Sequence, residues 1–547
     1  MRLFNKDNRS YEEIYGAFRW DVPEYFNIGV AACDRHTDRF DQAALFVENA
    51  AGEEERYTFG ELKQLSDRFA NALRDIGVRP RDRVGIVLPQ RAEAAIAHLA
   101  VYKLGAIALP LSVLFGRDAL AYRLSDSGAR VVVTDATRVS TIDSVRGELP
   151  ELETMVVCGD GDDDNEFWSM THRASEAFQP ENTKSDDPAL LIYTSGTTGP
   201  PKGALNAHRC LLGNLTGFEL SQNFFPQPGD LMWTPADWAW TGGLLDGLIP
   251  SLYYGVPVLG YDGGKFSPEK AFELMEKYRV RNAFIPPTAL KMMMQVADAD
   301  SRFKLEIRSI MSAGEQVGVE VVRWAEQALD VKINEMWGQT EFNYLVGNCA
   351  DVFPVKPGSM GRPYPGHAVD VIDENGVPMP DGEVGELAAK RGDPVMFLGY
   401  WKNDEATRET FIGEWFRTGD VGYRDADGYL WFVGRKDDVI SSAGHRVGPG
   451  EVEDCLLKHP AVAQAAVIGS PDELRGNVIK AFIVLSEGHA PSEELVEDIQ
   501  QSVRTRLAAH EYPREVEFID ELPMTTTGKV RRVELRQKEI ENKRAGG

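Results

Sequence analysis

One run of the chain combines glycines, hydroxyl side chains and a lysine. It reads Tyr193-Thr194-Ser195-Gly196-Thr197-Thr198-Gly199-Pro200-Pro201-Lys202-Gly203. Glycines let the backbone turn and expose its N–H groups, hydroxyls add donors and lysine adds positive charge, so the run has the ingredients of a polyphosphate cradle. It is not a Walker loop, because no Gly-Lys-Ser/Thr follows at the required spacing. On composition alone, a plain solvent loop is the alternative interpretation.

The composition excludes several classes of protein. The chain has 547 residues, with 59 basic and 85 acidic side chains and a formal net charge of −26. A nucleic acid or an anionic membrane surface would repel such a charge, so we expect neither as a partner. With 43% hydrophobic and 10% aromatic residues, the chain is typical of a globular protein. Its length predicts two or more domains.

The cysteine spacing and the hydropathy predict a cytoplasmic protein. The cysteines form no CxxC or Cys/His pair, which favours reduced thiols over disulfides or a zinc site; they are Cys33, Cys158, Cys210, Cys349 and Cys455. The first residues, MRLFNKDNRSYEE, lack the apolar segment of a signal peptide. The most apolar stretches, around 104–115 and 247–260, are broken by Gly and Pro and fall short of the ~20 residues of a membrane helix. We therefore expect no membrane insertion.

Strand-like and helical patterns alternate through the first part of the chain. Apolar runs at 84–89 and 131–134 are strand-like, and a helical pattern at 91–105 lies between them. This order predicts parallel βαβ units, and hence a sheet covered on both faces. The acidic segment 159–187 has little periodicity, which predicts a surface loop leading into a buried strand at 189–193.

The last hundred or so residues predict a small α+β unit. Apolar runs at 465–468 and 478–485 indicate strands, and Ser492 followed by two glutamates indicates a helix cap. Apolar residues then recur at helical spacing, at Val496, Ile499, Val503 and Leu507. The predicted fold class is therefore α/β, with a large N-terminal domain of mostly parallel sheets flanked by helices and a small α+β C-terminal domain.

The run around Thr194 resembles the signature of the adenylate-forming superfamily, which includes acyl-CoA synthetases, adenylation domains of peptide synthetases and luciferases. Further matches follow in the superfamily's order across nearly the whole chain: Ser312-Ala313-Gly314-Glu315, Trp337-Gly338-Gln339-Thr340-Glu341, Thr418-Gly419-Asp420, Gly434-Arg435-Lys436-Asp437-Asp438, Gly444-His445-Arg446 and Thr527-Gly528-Lys529. One such motif would be weak evidence, but several in order make coincidence negligible.

The resemblance implies a reaction in which a carboxylate attacks the α-phosphorus of ATP, releasing pyrophosphate and leaving an acyl adenylate. Charge builds on the phosphoryl oxygens, so catalysis depends on positioning and on cationic stabilisation. The implied catalytic residues are Lys529, which reaches the α-phosphate and the carboxylate, Thr340, which contacts phosphate, and Glu341, which holds Mg²⁺. Without the resemblance, Lys529 would be interpreted as a solvated surface lysine.

The resemblance also implies an ATP site. Asp420 accepts the ribose hydroxyls with Arg435 beside it, and Trp337 offers a face to the adenine. Gln316 departs from the family pattern, in which proline is common, and Phe432 either closes over the nucleotide or packs in the core. The implied ATP-binding residues are Thr194, Ser195, Gly196, Thr197, Thr198, Gly199, Lys202, Gly314, Glu315, Gln316, Glu335, Met336, Trp337, Gly338, Gln339, Thr340, Asp420, Phe432 and Arg435.

The second half-reaction needs a thiol from outside, such as coenzyme A. In the family, the small C-terminal domain rotates about a hinge, which aligns with Asp437, to admit the thiol. The implied domains are 1–435, which binds AMP and the acyl group, and 437–547, which is mobile. The implied CoA-binding residues are Ala443, Gly444 and Arg446, whereas His445 is interpreted as an ordinary loop histidine. A homodimer is compatible with the sequence, which does not fix the oligomeric state.

The acyl pocket is expected in the segment 237–243 and near Gly338. In relatives restricted to acetate, a bulky tryptophan fills the position that matches Gly338, so glycine there predicts an acid larger than acetyl. Asp237 could pair with an amino group, although its surroundings resemble short- and medium-chain acyl-CoA synthetases more closely. Trp238 and Trp240 are interpreted equally as pocket wall or as core. The implied pocket residues are Trp240, Thr241, Gly242, Ala313 and Gly338.

The leading hypothesis is an ATP-dependent carboxylate:CoA ligase that uses ATP, Mg²⁺ and coenzyme A. Its acid would be of short to medium chain length, aliphatic, branched or small aromatic. One alternative is an enzyme that loads a carrier protein, and a luciferase-like oxygenase is a more distant one. From another class, a catalytically silent nucleotide-binding relative would keep the fold, although the presence of Lys529, Thr340 and Glu341 argues against such decay.

Overall fold

The computed structural model describes residues 2–7, 9–36, 38–159, 165–194, 200–436, 438–442, 445–472, 476–507, 512–525 and 529–546. Its strands are β1 (Ala43–Asn49), β2 (Glu54–Thr58), β3 (Arg83–Val87), β4 (Ile107–Pro110), β5 (Val131–Asp135), β6 (Thr154–Cys158), β7 (Pro188–Thr194), β8 (Lys202–Ala207), β9 (Met232–Trp233), β10 (Val258–Asp262), β11 (Asn282–Phe284), β12 (Ser309–Ala313), β13 (Ile333–Gln339), β14 (Phe342–Gly347), β15 (Arg362–Pro363), β16 (Val369–Ile372), β17 (Gly385–Lys390), β18 (Gly399–Tyr400), β19 (Phe411–Ile412), β20 (Trp415–Arg424), β21 (Leu430–Arg435), β22 (Ile440–Ser442), β23 (His445–Val447), β24 (Val462–Asp472), β25 (Gly476–Leu485) and β26 (Glu515–Phe518).

The helices are α1 (Tyr11–Ala17), α2 (Phe59–Asp75), α3 (Ala92–Lys103), α4 (Arg117–Ser127), α5 (Ala136–Asp143), α6 (Phe167–Arg173), α7 (Cys210–Ser221), α8 (Thr241–Gly243), α9 (Ile249–Tyr253), α10 (Pro268–Lys277), α11 (Pro287–Met293), α12 (Ala299–Arg302), α13 (Val319–Ala328), α14 (Asp404–Glu409), α15 (Pro449–Leu456), α16 (Glu493–Arg506) and α17 (Arg532–Gly546). Short π-helical segments cover Val30–Asp34 and Leu244–Leu248, and a 3₁₀ turn covers Arg146–Glu148.

The chain forms two compact units. The first comprises Met1–Ala368 and Lys390–Glu409, and the second comprises Val369–Ala389 and Thr410–Gly547. The second unit therefore includes strands that precede the boundary predicted at Asp437. Asp437 itself lies outside the described residues, so its role as a hinge and the domain ranges 1–435 and 437–547 stay predictions.

Two mixed, mostly parallel sheets form the framework of the first unit. One has the order β15-β14-β13-β12-β11-β9-β10-β1-β2, and the other has the order β18-β8-β7-β4-β3-β5-β6. Strands β3 and β5 are almost entirely buried, as expected of parallel strands covered on both faces. The fold class predicted from the sequence is confirmed.

One part of the predicted loop at 159–187 is a helix. Helix α6 is capped by Glu166, whose carboxylate accepts hydrogen bonds from the backbone N–H groups of Trp168 and Ser169. Phe167 is buried with its ring centroid 4.4 Å from that of Phe69. The prediction of a loop was wrong for these residues, because a single helical turn or two carries too few apolar positions to show a periodicity among acidic neighbours.

The second unit contains the predicted α+β structure. Strand β24 pairs antiparallel with β25, and β26 pairs parallel with β25. Ser492 caps helix α16 by accepting a hydrogen bond from the Leu495 N–H, and the predicted apolar positions Ile499 and Val503 are buried. A separate sheet of order β16-β17-β20-β19, with β21 paired to β20, carries the residues that precede the predicted hinge.

The structure also describes the state of the cysteines and the hydropathy of the helices. All five cysteines are buried free thiols. Within the ranges that the structure describes, no helix combines the length and the apolar composition needed to cross a bilayer.

Candidate active site

The predicted phosphate loop joins two strands of the first unit. Strands β7 and β8 form an antiparallel hairpin in which Thr194 pairs with Lys202, so both flanks of the loop are held by the sheet. The loop itself lies outside the described residues, including the predicted Ser195, Gly196, Thr197, Thr198 and Gly199. The Lys202 ammonium is described and lies 5.2 Å from the ring centroid of Tyr400.

Glu341, the predicted Mg²⁺ ligand, follows Thr340 in the turn between β13 and β14. It is 7% exposed, and its Oε1 accepts a hydrogen bond of 2.7 Å from the Tyr400 hydroxyl. Its carbonyl oxygen accepts a hydrogen bond of 2.8 Å from the Phe397 N–H. The geometry therefore fixes both the backbone and the carboxylate of this residue.

A magnesium ion fits this environment as a partner of the nucleotide. Mg²⁺ usually keeps several waters and is bound through one or two carboxylates together with substrate phosphates. Glu341 supplies one such carboxylate. Over the described ranges, no group of three or more His, Cys, Asp or Glu side chains is arranged as a metal cage. Glu341 would thus hold the ion jointly with ATP.

The predicted nucleotide residues lie at the carboxyl ends of two neighbouring strands. Strands β12 and β13 are parallel, and Ala313 pairs with Met336. The segment 314–316 therefore leaves the sheet beside residues 337–339, which end β13 and pair with β14, at the edge where open α/β sheets bind ligands. Gly314 has φ +97°, a conformation that favours glycine. The Glu315 carboxylate accepts a hydrogen bond of 3.1 Å from Thr288.

Two further predicted nucleotide residues are mostly enclosed by protein. The Glu335 Oε1 accepts a hydrogen bond of 3.4 Å from the Val317 N–H, which ties the loop after β12 to β13. Trp337 is 9% exposed, and its ring centroid lies 5.5 Å from that of Phe342. Little of the indole is open to solvent, so stacking of adenine on Trp337 stays a prediction.

Asp237 stabilises the turn that carries the predicted acyl-pocket tryptophans. Its Oδ2 accepts a hydrogen bond of 2.9 Å from the Ser112 hydroxyl, and its Oδ1 accepts one of 2.9 Å from the Ala239 N–H. Burial raises the pKa of Asp237 above its ordinary value, and the two hydrogen bonds act against that rise. Both oxygens thus have partners within the protein, which argues against the role of binding a substrate amino group.

Trp240 packs on an aromatic residue that the sequence did not single out. Its ring meets that of Phe115 edge to face, with centroids 5.6 Å apart. The Arg123 guanidinium lies over the Phe115 ring, 4.1 Å from its centroid. Phe115 belongs to the loop after β4 that also contains Ser112. This loop therefore supports both ends of the 237–240 turn, and no local motif signals it.

Close packing disfavours a larger residue at two glycines of the predicted pocket. A Cβ added at Gly242 would lie 2.5 Å from a ring carbon of Phe284. One added at Gly338 would lie 2.9 Å from the Tyr344 backbone nitrogen, within the β13–β14 hairpin. In this backbone, glycine at 338 avoids a close contact within the hairpin, and it is also compatible with an open pocket. Thr241 is partly buried and Ala313 is buried.

The predicted ribose site lies in the second unit. Strands β20 and β21 pair Asp420 with Arg435, and the Arg435 Nη1 donates a hydrogen bond of 2.8 Å to the Asp420 Oδ1. The backbone N–H of Asp420 donates to the Thr418 hydroxyl at 3.0 Å. Phe432 is partly exposed on β21, which leaves open both of its predicted roles.

Glu386 supports the same turn from the neighbouring strand. Its carboxylate accepts hydrogen bonds from the Arg417 guanidinium, the Gly419 N–H and the Lys436 ammonium. Burial alone would raise the pKa of Glu386, but the hydrogen bonds and charge of Arg417 outweigh it and lower the pKa. The backbone next to Asp420 is thereby fixed by an ionised carboxylate.

Lys529 is an exposed residue of the second unit, and its backbone is hydrogen-bonded to Thr525. Its N–H donates a hydrogen bond of 3.0 Å to the Thr525 hydroxyl, and its carbonyl oxygen accepts one of 2.7 Å from the Thr525 N–H. Of the predicted CoA-binding residues, Ala443 and Gly444 lie outside the described residues. Arg446 is described only in its backbone, which pairs with Ser441 in the β22–β23 hairpin.

A buried cluster in the first unit has the residue types of a nucleophilic triad. The His367 Nδ1 lies 2.7 Å from an oxygen of Asp393, and its Nε2 lies 3.0 Å from the Thr216 hydroxyl. All three residues are buried, and Thr216 is fully enclosed. A substrate cannot reach this hydroxyl, so the arrangement joins packed segments and does no chemistry.

Comparison with known families gives two matches that together span most of the chain. The model of the AMP-binding enzyme family matches residues 33–401, and the model of the AMP-binding enzyme C-terminal domain matches residues 451–529.

Individual relatives match along nearly their whole length. The acetyl-coenzyme A synthetase of Bacillus subtilis is 38% identical, covering 97% of this chain and 95% of the relative. The mouse mitochondrial acyl-coenzyme A synthetase ACSM3 is 34% identical, covering 98% of this chain and 96% of the relative. Among solved structures, the anthranilate CoA ligase AuaEII in complex with anthranoyl-AMP has a TM-score of 0.86 and 31% identity, covering 95% of this chain and 99% of that one.

Proposed function

This chain belongs to the AMP-binding enzyme family and is an AMP-forming acid–CoA ligase that uses ATP, Mg²⁺ and CoA, and we propose that its acid is larger than acetate. The proposed acid is of short to medium chain length, aliphatic, branched or small aromatic. Gly338 carries this proposal, because the chain lacks the bulky side chain by which acetate-restricted relatives shorten the pocket.

The reaction has two steps. A carboxylate oxygen of the acid attacks the α-phosphorus of ATP, the bond to the bridging oxygen breaks and pyrophosphate leaves. The thiol sulfur of CoA then attacks the acyl carbon, loses its proton, and expels AMP to leave the thioester. Mg²⁺ neutralises phosphate charge when it is bound with ATP. The protein's part is to orient the reactants and to stabilise charge on the phosphoryl oxygens.

We assign roles to residues of both units on this basis. Lys529 stabilises the charge that develops at the α-phosphate, and Thr340 contacts phosphate. Glu341 holds the Mg²⁺·ATP complex through a carboxylate that is already oriented by a hydrogen bond. Asp420, ordered by Arg435, accepts the ribose hydroxyls. The CoA-binding roles of Ala443, Gly444 and Arg446 and the hinge role of Asp437 are proposed from the family resemblance.

Trp240, the proposed aromatic wall of the acyl pocket, is held in place by its neighbours. Trp240 is held by Phe115, and the turn that carries it is held by Asp237. An apolar wall stabilises each additional methylene of a bound chain by about 0.8 kcal/mol. AuaEII is an anthranilate CoA ligase and so acts on an aromatic acid, which favours a pocket of this larger kind, whereas the B. subtilis relative is named for acetyl-CoA.

A panel of acids tests the proposal. CoA-dependent AMP release is measured with acetate, butanoate, hexanoate, octanoate, isobutyrate, benzoate and anthranilate. We expect kcat/KM for the best acid to exceed that for acetate at least about tenfold, since two buried methylenes are worth about 1.6 kcal/mol. Omission of CoA controls for hydrolysis of the adenylate. A highest kcat/KM for acetate would contradict the proposed acid class.

A further inference from the structure

Tyr400 belongs to a short strand that extends the sheet of the phosphate loop. Strand β18 pairs antiparallel with β8, with Tyr400 opposite Ala204. The Leu398 N–H donates a hydrogen bond of 2.7 Å to the Leu205 carbonyl, and the Trp401 N–H donates one of 2.7 Å to the Gly203 carbonyl. The backbone of Tyr400 is thus fixed to the strand that begins at Lys202.

The side chain of Tyr400 contacts two residues with predicted roles in ATP binding. Its hydroxyl donates a hydrogen bond of 2.7 Å to the Glu341 Oε1, and the Lys202 ammonium lies 5.2 Å from its ring centroid. Its ring also meets that of Phe397 edge to face, with centroids 5.1 Å apart. Tyr400 therefore connects the flank of the phosphate loop to the predicted Mg²⁺ carboxylate.

We propose that Tyr400 is a positioning residue for the Mg²⁺·ATP complex, acting through the hydrogen bond of its hydroxyl to Glu341. This inference rests on the role assigned to Glu341 under the proposed function. A buried carboxylate can turn about its terminal torsion, and that torsion is broad. A charge-assisted hydrogen bond selects one orientation and lowers the cost of ordering the carboxylate when the metal–nucleotide complex binds.

The ring of Tyr400 and its hydroxyl have separable roles. Packing on Phe397 and the approach of Lys202 involve the ring, whereas the contact with Glu341 involves the hydroxyl alone. The Phe397 N–H holds the backbone of Glu341 independently of Tyr400. Removal of the hydroxyl should therefore leave the fold intact and affect the carboxylate.

The test compares Tyr400→Phe with Tyr122→Phe. The Tyr122 hydroxyl also donates a hydrogen bond near the phosphate loop, to the Pro201 carbonyl at 3.0 Å, but it does not involve Glu341. Binding of Mn²⁺ in the presence of ATP is measured by electron paramagnetic resonance, without any acid or turnover. We expect Tyr400→Phe to weaken Mn²⁺·ATP binding about tenfold, the effect of losing one hydrogen bond to a charged group. Tyr122→Phe should bind as the wild type does.

A double-mutant cycle separates positioning from general damage. In the Glu341→Gln background, Tyr400→Phe should cause no further loss of Mn²⁺·ATP binding, because the oriented charge is already gone. Thioester formation from supplied acyl adenylate and CoA should be unchanged by Tyr400→Phe. Wild-type Mn²⁺·ATP binding by Tyr400→Phe, or an equal loss in both backgrounds, would overturn the inference. Because the binding measurement needs no acid, a preference for acetate would refute the proposed acid class and leave this result standing.

Discussion

Replacement of Lys529 by alanine is expected to lower the rate of acid-dependent acyl-adenylate formation by about 10³-fold. A cation aimed at charge that develops only in the transition state contributes on the order of 10²–10³ in rate when it is removed. Lys529 is exposed, and its N–H, which donates to the Thr525 hydroxyl, is kept in the variant, so the substitution should not disturb packing. The same variant should convert supplied acyl adenylate and CoA to the thioester at nearly the wild-type rate.

Two comparisons make the Lys529 result specific. Lys538 is also an exposed lysine of the second unit, with its ammonium 3.0 Å from Glu517, and Lys538→Ala should leave both half-reactions unchanged. Unfolding in urea should show the same midpoint for both variants and the wild type. Equal loss of the two half-reactions in Lys529→Ala would contradict a role confined to adenylation.

Replacement of Asp420 by asparagine is expected to raise KM for ATP about 100-fold while KM for the acid stays the same. A carboxylate offers about four acceptor positions, and the Arg435 guanidinium orients this one by donating a hydrogen bond to its Oδ1. Both ribose hydroxyls can therefore donate to it, and two hydrogen bonds to a charged acceptor are together worth about 3 kcal/mol. Asparagine keeps the shape but loses the charge and half of the acceptors.

ATP analogues show whether the ribose is the partner of Asp420. Wild-type enzyme should bind 2′,3′-dideoxy-ATP far more weakly than ATP, whereas Asp420→Asn should discriminate much less between the two. Asp381 provides a matched variant, because its carboxylate pairs with Arg424 in the same unit and Asp381→Asn should bind ATP normally. Undiminished discrimination by Asp420→Asn would assign the ribose contact elsewhere.

The framework was predictable from the sequence because its strands are buried on both faces. Such strands read as continuous apolar runs between turns, as β3 and β5 do. The Ser492 cap was likewise predictable, because a hydroxyl before two acidic residues is a local signal of a helix N-terminus. Helix α6 was missed because its one or two turns hold too few apolar residues to show a helical period, and its packing, such as that of Phe167 on Phe69, joins segments that are distant in sequence.

In the candidate site, too, some residues were predictable from the sequence and others were not. Motifs name residues that are predicted to contact the reactants, such as Lys529 and Asp420. The supporting contacts in the site join residues that are distant in sequence. Tyr400 and Glu341 are separated by 59 positions, and Asp237 and Ser112 by 125. No local pattern encodes such pairings, because they arise from sheet order and loop packing.

The transfer of oxygen from acid to nucleotide tests the central claim most directly. With an acid labelled with ¹⁸O in both carboxylate oxygens, attack on the α-phosphorus places one ¹⁸O in AMP and leaves the other in the thioester. We therefore predict that AMP isolated after complete turnover carries one ¹⁸O and that pyrophosphate carries none. Unlabelled AMP accompanied by ¹⁸O in pyrophosphate or phosphate would contradict the account.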